Sequence, residues 1–210
     1  TEQGQTVFVY GADGYSVLFE SGHRLVNATT VSSTTETIYL PTASGPMPVV
    51  ALINGEKFAI HSDHLNTPRR LTDAQGQPRW QWAFSGFGEM APQSIPAAGK
   101  PAIGYSLRYP GQVDDGNGLF YNFNRFYDPL AGRYTNADPI GLDGGWNRFG
   151  YVGGNALGAV DPLGLATYIC TQPLHALGAA GRVVYAPSSN PLHHQFIGII
   201  RPDRSVITGG

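Results

Sequence analysis

The runs Val49-Val50-Ala51-Leu52-Ile53 and Lys57-Phe58-Ala59-Ile60-His61 flank Asn54-Gly55. Asn-Gly between two apolar runs is the strongest short-range hairpin signal, because a type I′ turn needs positive φ at both central residues. The same punctuation recurs along the chain. Val7-Phe8-Val9-Tyr10 and Tyr15-Ser16-Val17-Leu18-Phe19 flank Gly11-Ala12-Asp13-Gly14, and Thr34 to Leu40 is a β-branched and aromatic run. Arg70-Leu71-Thr72 and Arg79-Trp80-Gln81-Trp82 flank Asp73-Ala74-Gln75-Gly76. Leu107-Arg108-Tyr109 and Leu119 to Phe123 flank Asp114 to Gly118, while the Pro- and Ala-rich stretch 91–102 reads as a surface loop. A chain interrupted this often builds few long helices, so residues 1–130 are expected to be a run of antiparallel hairpins and the class mainly β.

Composition agrees with many turns and a packed interior. There are 28 Gly and 16 Pro in 210 residues, with 11 Tyr, 10 Phe and 3 Trp to supply packing area. The charged fraction is 13%, against about 25% in ordinary soluble domains, and the net charge is −2. No block of Lys or Arg implies a nucleic-acid surface for residues 1–165. A single cysteine, Cys170, excludes an internal disulfide. No apolar run approaches the ~20 residues of a membrane span, and the polar N-terminus lacks a signal-peptide core. The first residue is not Met, which fits a fragment or a processed chain. No metal or cofactor motif is present, so neither is expected.

A loose repeat also appears, an aromatic residue followed by a Gly turn: Tyr10-Gly11-Ala12-Asp13-Gly14, Phe84-Ser85-Gly86-Phe87-Gly88 and Tyr127-Asp128-Pro129-Leu130-Ala131-Gly132. Units that bury one face need neighbours, which favours a repeating β-architecture.

Three segments are more specific. They are Ile60-His61-Ser62-Asp63-His64-Leu65-Asn66-Thr67-Pro68-Arg69, the run from Leu107 to Tyr134, and the doubled Asp138-Pro139-Ile140-Gly141 and Asp161-Pro162-Leu163-Gly164-Leu165. In this order they resemble the Rhs/YD-repeat toxin family over about residues 1–165. The departures are Asn66 in place of a usual Gly, Asn155-Ala156 where Asn-Pro is common, and Tyr10-Gly11 without the Asp of a YD pair. The resemblance implies a hollow β-shell that encloses a C-terminal toxin and cuts it free. Residues 1–130 would be shell hairpins, 131–165 an autoproteolytic plug, and 166–210 the start of a toxin with an α/β or irregular fold. Partners would be the rest of the shell and the toxin tail, with a secretion-system adaptor and an immunity protein. The location would be the bacterial cytoplasm before export, then secretion or delivery into a target cell.

The resemblance places the cut at Leu165–Ala166. Asp138 and Asp161 are the candidate pair, since two carboxylates can share peptide hydrolysis when one stays protonated. Each precedes Pro, which holds the Asp extended, and each is followed by a Gly that permits a tight turn. Arg133 matches the Arg of the family's core motif and would steady a carboxylate or the oxyanion. From the residues alone another reading stays open. Asp-Pro-x-Gly is a good type I turn, and both acids could be turn formers in a passive plug. A surface-binding module using Trp80 and Trp82 is a third possibility. His61, Asp63 and His64 carry donor atoms, but their strand spacing argues against a metal site. In the tail, His194 and Cys170 are candidates for a thiol-enzyme site.

Overall fold

The computed structural model describes residues 4–26, 29–83 and 85–165, together with the short strands 168–169, 183–185, 197–200 and 206–208. Cys170, Ala166 and His194 lie outside the described residues. So does most of the segment 166–210 expected to begin a toxin.

The fold is almost entirely antiparallel β. Eight strands form one meander in chain order: β1 (Gly4–Tyr10), β2 (Val17–Val26), β3 (Thr29–Thr42), β4 (Gly45–Ile53), β5 (Glu56–Ser62), β6 (Pro68–Thr72), β7 (Pro78–Gln81) and β8 (Gln93–Ser94). The Asn54-Gly55 turn forms as its chemistry dictates, with φ of 51° and 82° and Ile53 paired to Glu56. Asn54 Oδ1 also accepts the Thr34 N–H at 2.9 Å, tying the turn to β3. The stretch expected as a plain loop contributes β8, where Ser94 pairs with Trp80.

A ten-residue repeat in the β5–β7 region explains two turns at once. Asp63 and Asp73 each accept two backbone N–H groups on Oδ1, from Leu65 and Thr67 and from Gln75 and Gln77. Three residues on, Asn66 and Gly76 take φ of 65° and 76°, and each turn closes on Pro then Arg. Asn66 fits this left-handed position because Asn tolerates it better than other non-glycine residues. Its Nδ2 also donates to the Gly45 carbonyl at 3.2 Å.

A second sheet, ordered β12-β11-β10-β9, follows: β9 (Val113–Asp114), β10 (Phe120–Asn122), β11 (Arg125–Asp128) and β12 (Arg133–Tyr134). The hairpin expected between residues 107–109 and 119–123 is divided. Arg108 and Gln112 close their own tight turn, and β9 rather than 107–109 pairs with β10. Beyond it lie two 3-10 turns, Gly141–Gly144 and Val152–Gly154, then β13 (Ala159–Val160) pairing with β14 (Tyr168–Ile169). The strands β15 (Val183–Tyr185), β16 (Ile197–Ile200) and β17 (Val206–Thr208) form a fourth sheet.

The core joins the inward face of the meander to the second sheet through aromatic side chains. Trp82 meets Tyr109 at 5.3 Å and Phe120 at 6.0 Å, and Tyr127 meets Tyr151 at 4.7 Å. Trp80 and Trp82 are both buried, which gives them to the core rather than to a binding surface. His64 Nε2 lies 2.8 Å from the Leu157 carbonyl, a link from the His-x-Asp-His segment to the later loops.

Candidate active site

Two Asp-Pro turns and one short hairpin build the site. In the first turn, Asp138 Oδ1 accepts the Ile140 N–H at 3.0 Å and the Asp138 carbonyl accepts Gly141 N–H at 3.0 Å. In the second, Asp161 Oδ1 accepts the Leu165 N–H at 2.9 Å. Both turns end on a glycine in the left-handed region, Gly141 at φ 70° and Gly164 at φ 65°.

The β10–β11 hairpin then grips the second turn by its carbonyls. Asn122 Nδ2 donates to Asp161 O at 3.0 Å, Asn124 Nδ2 to Leu163 O at 2.8 Å, and Arg125 Nε to Gly164 O at 2.5 Å. The 109–112 turn also presses against the same segment. A Cβ on Gly111 would stand 1.9 Å from the Pro162 carbonyl oxygen, so only glycine fits there. The residues leading to Leu165 are therefore held by both the hairpin and this turn.

This grip brings the two carboxylates to one cation. Asp138 and Asp161 are each 2% exposed, and Arg125 is 4% exposed. Arg125 Nη1 lies 3.0 Å from Asp138 Oδ2, and Nη2 lies 3.1 Å from Asp161 Oδ2. The guanidinium also stacks over the Tyr134 ring at 3.5 Å, and Tyr134 Oη donates to Asp161 Oδ2 at 2.8 Å. Asn122 Nδ2 donates to that same phenol oxygen at 2.8 Å. Burial, reinforced by the nearby Asp161 charge, pushes the Tyr134 phenol far above its ordinary range, so it keeps the proton it donates.

The Leu165 carbonyl oxygen and Asp138 Oδ2 both lie close to Gly144. A Cβ built on Gly144 would lie 2.4 Å from Asp138 Oδ2 and 3.3 Å from Leu165 O. The two oxygens thus border one small space.

No family model matches the sequence. Curated relatives do. The chain is 39% identical over 138 residues to "Toxin protein Tse5" of Pseudomonas aeruginosa, covering 64% of this chain and 10% of the relative. It is 42% identical over 112 residues to "Double-stranded DNA deaminase toxin A" of Burkholderia cenocepacia, covering 52% and 8%. It is 34% identical over 131 residues to "Probable deoxyribonuclease RhsA" of Dickeya dadantii, covering 62% and 8%. These relatives support an Rhs/polymorphic toxin family for the chain.

The chain also shares its fold with a crystal structure of TcdB2–TccC3 without its hypervariable C-terminal region, at TM-score 0.55 and 21% identity. That match covers 78% of this chain and 8% of the other. The chain spans about a tenth or less of the length of these relatives.

Of the residues singled out from sequence, the structure brings Asp138, Asp161 and Leu165 together. The arginine between the acids is Arg125, not Arg133. On the two-residue strand β12 successive side chains point to opposite faces; Tyr134 takes the buried one and Arg133 the exposed one. Asn122, Arg125 and Tyr134 had no signal in spacing alone. They lie in segments 122–134, so the site straddles residue 130, the boundary expected between shell and plug. Among the described residues no group of His, Cys, Asp and Glu could hold a metal, and no helix is long and apolar enough to cross a membrane.

Proposed function

We propose that this chain is the end of an Rhs-type toxin shell and cuts itself between Leu165 and Ala166, freeing a C-terminal toxin. The observation that carries the reading is the convergence of two buried carboxylates on Arg125 beside the Leu165 carbonyl. In the reaction, one carboxyl gives its proton to the Leu165 carbonyl oxygen while the other carboxylate takes a proton from an attacking water. The water oxygen bonds to the carbonyl carbon. The diol then collapses: the first carboxylate regains its proton, the second passes its proton to the Ala166 nitrogen, and the C–N bond breaks. Both acids return to their starting state, with a new carboxyl group on Leu165 and a new amine on Ala166. Because bond and acids belong to one chain, holding them in place supplies much of the rate. The released toxin would act in competition between bacteria after secretion or delivery. The remaining shell and an immunity protein would be its partners, with an adaptor for export.

Intact-mass measurement of the purified chain tests this. Two fragments meeting at Leu165–Ala166 are expected, and Asp138→Asn or Asp161→Asn should leave the chain whole and folded. A wild-type chain that stays whole from acid to alkaline pH favours the passive plug. One observation speaks for that second reading: each acid also caps its own turn through Oδ1.

A further inference from the structure

We infer that Gly144 is a positioning residue of the cleavage site, kept without a side chain so that Asp138 can reach the Leu165 carbonyl. The inference rests on the self-cleavage reading and deepens it. It assigns Asp138 as the acid that addresses the carbonyl oxygen.

The reason is space, not backbone conformation. Gly141 and Gly145, on either side, have φ of 70° and 120° and open surroundings. Gly144 lies outside the left-handed region, so an L side chain meets no backbone strain there. What a Cβ meets instead is Asp138, at 2.4 Å from Oδ2 and 2.9 Å from Cγ, and then Leu165 O at 3.3 Å. An exposed aspartate would swing aside. Asp138 is 2% exposed and fixed at both oxygens, Oδ1 by the Ile140 N–H and Oδ2 by Arg125. A methyl group at 144 therefore drives Oδ2 off Arg125 and crowds the Leu165 carbonyl oxygen. A displacement of about 1 Å at a reacting group typically costs on the order of 100-fold in rate.

The test compares the 210-residue wild type with Gly144→Ala, Asp138→Asn and Gly104→Ala, by intact mass over time across pH and by urea unfolding. Gly104 is a control because it too lies outside the left-handed region and a Cβ there meets nothing within 4 Å. Gly144→Ala is expected to unfold as cooperatively as Asp138→Asn and to cleave about 100-fold more slowly than wild type. Its residual pH–rate profile should differ from that of the wild type, because the carboxyl at 138 no longer sits against Arg125. Gly104→Ala should keep both rate and profile. Gly144→Ala cleaving at the wild-type rate with the wild-type profile overturns this inference alone. So does loss of cooperative unfolding, which would make Gly144 a requirement of the fold rather than of the site. An uncut wild type overturns the cleavage reading and this inference together.

Discussion

Replacing Arg125 by Gln would turn the central cation of the site into a neutral group. Two carboxylates, each 2% exposed, would then face each other without it. Deleting one partner of a buried ion pair costs about 3–5 kcal/mol, mainly because the other charge is stranded. For each acid the penalty is capped by the cost of protonating it. That is at most ~4 kcal/mol at pH 7 for a group of ordinary pKa near 4. A loss of about 3–5 kcal/mol at pH 7 is therefore expected. Stranded charge is penalised only while the carboxyl is ionised. The penalty is therefore absent in acid and grows toward neutral pH. Urea midpoints from pH 4 to pH 8, with intact mass to count cut chains, would read this directly. Arg125→Gln should approach the parent near pH 4 and fall away toward neutrality. In an Asp138→Asn background the loss should shrink, since one acid is stranded instead of two. Equal losses at both ends of the range would refute the electrostatic argument. They would leave Arg125 valued for its bonds to Gly164 O and Arg148 O and its stacking on Tyr134.

Other consequences are open to simpler measurements. Tyr134→Phe removes the phenol bond to Asp161, a hydrogen bond to an acidic group worth about 1.5–3 kcal/mol; urea unfolding should show that loss and intact mass a slower cut. Burial pushes the phenols of Tyr39, Tyr105, Tyr127 and Tyr134 upward, so stability should hold below about pH 10 and fall above it as the unfolded chain's phenols ionise. Tyrosinate absorbance should then rise with unfolding, not before it. Burial, then the nearby Asp114, raises Glu20, which accepts a hydrogen bond from Ser106. Raised pKa means the stability tied to its protonated form is lost as pH rises, so Glu20→Gln should raise the melting temperature at pH 7 and change little near pH 4.

What was legible in the sequence was local. Asn54-Gly55 specifies its hairpin through backbone φ alone, and the Asp-Pro-x-Gly segments specify their turns for the same reason. The Asp63-to-Arg69 and Asp73-to-Arg79 repeat is equally local, since like residue types recur at matching positions. The site's arginine was not legible locally. Arg125 and Arg133 both sit in aromatic runs near a turn, and the choice between them depends on which side of the pleat faces Asp161. The grip on the second turn by Asn122, Asn124 and Arg125 spans 39 residues of sequence, a distance over which no spacing rule operates.

The turn-forming and chemical readings of the two acids were set against each other by the sequence, yet the geometry assigns them to different oxygens. Oδ1 of Asp138 accepts the Ile140 N–H and Oδ1 of Asp161 the Leu165 N–H, which is all a turn former has to do. Oδ2 of each points instead at Arg125, where a turn former has no reason to be buried. Asparagine keeps an oxygen able to accept the turn bond and gives up the charge. Asp→Asn at 138 or 161 therefore separates the two duties, leaving the turn intact while removing whatever the second oxygen contributes. An asparagine chain that folds normally and stays whole would assign chemistry to Oδ2. One that folds normally and still breaks at Leu165 would leave both acids as architecture.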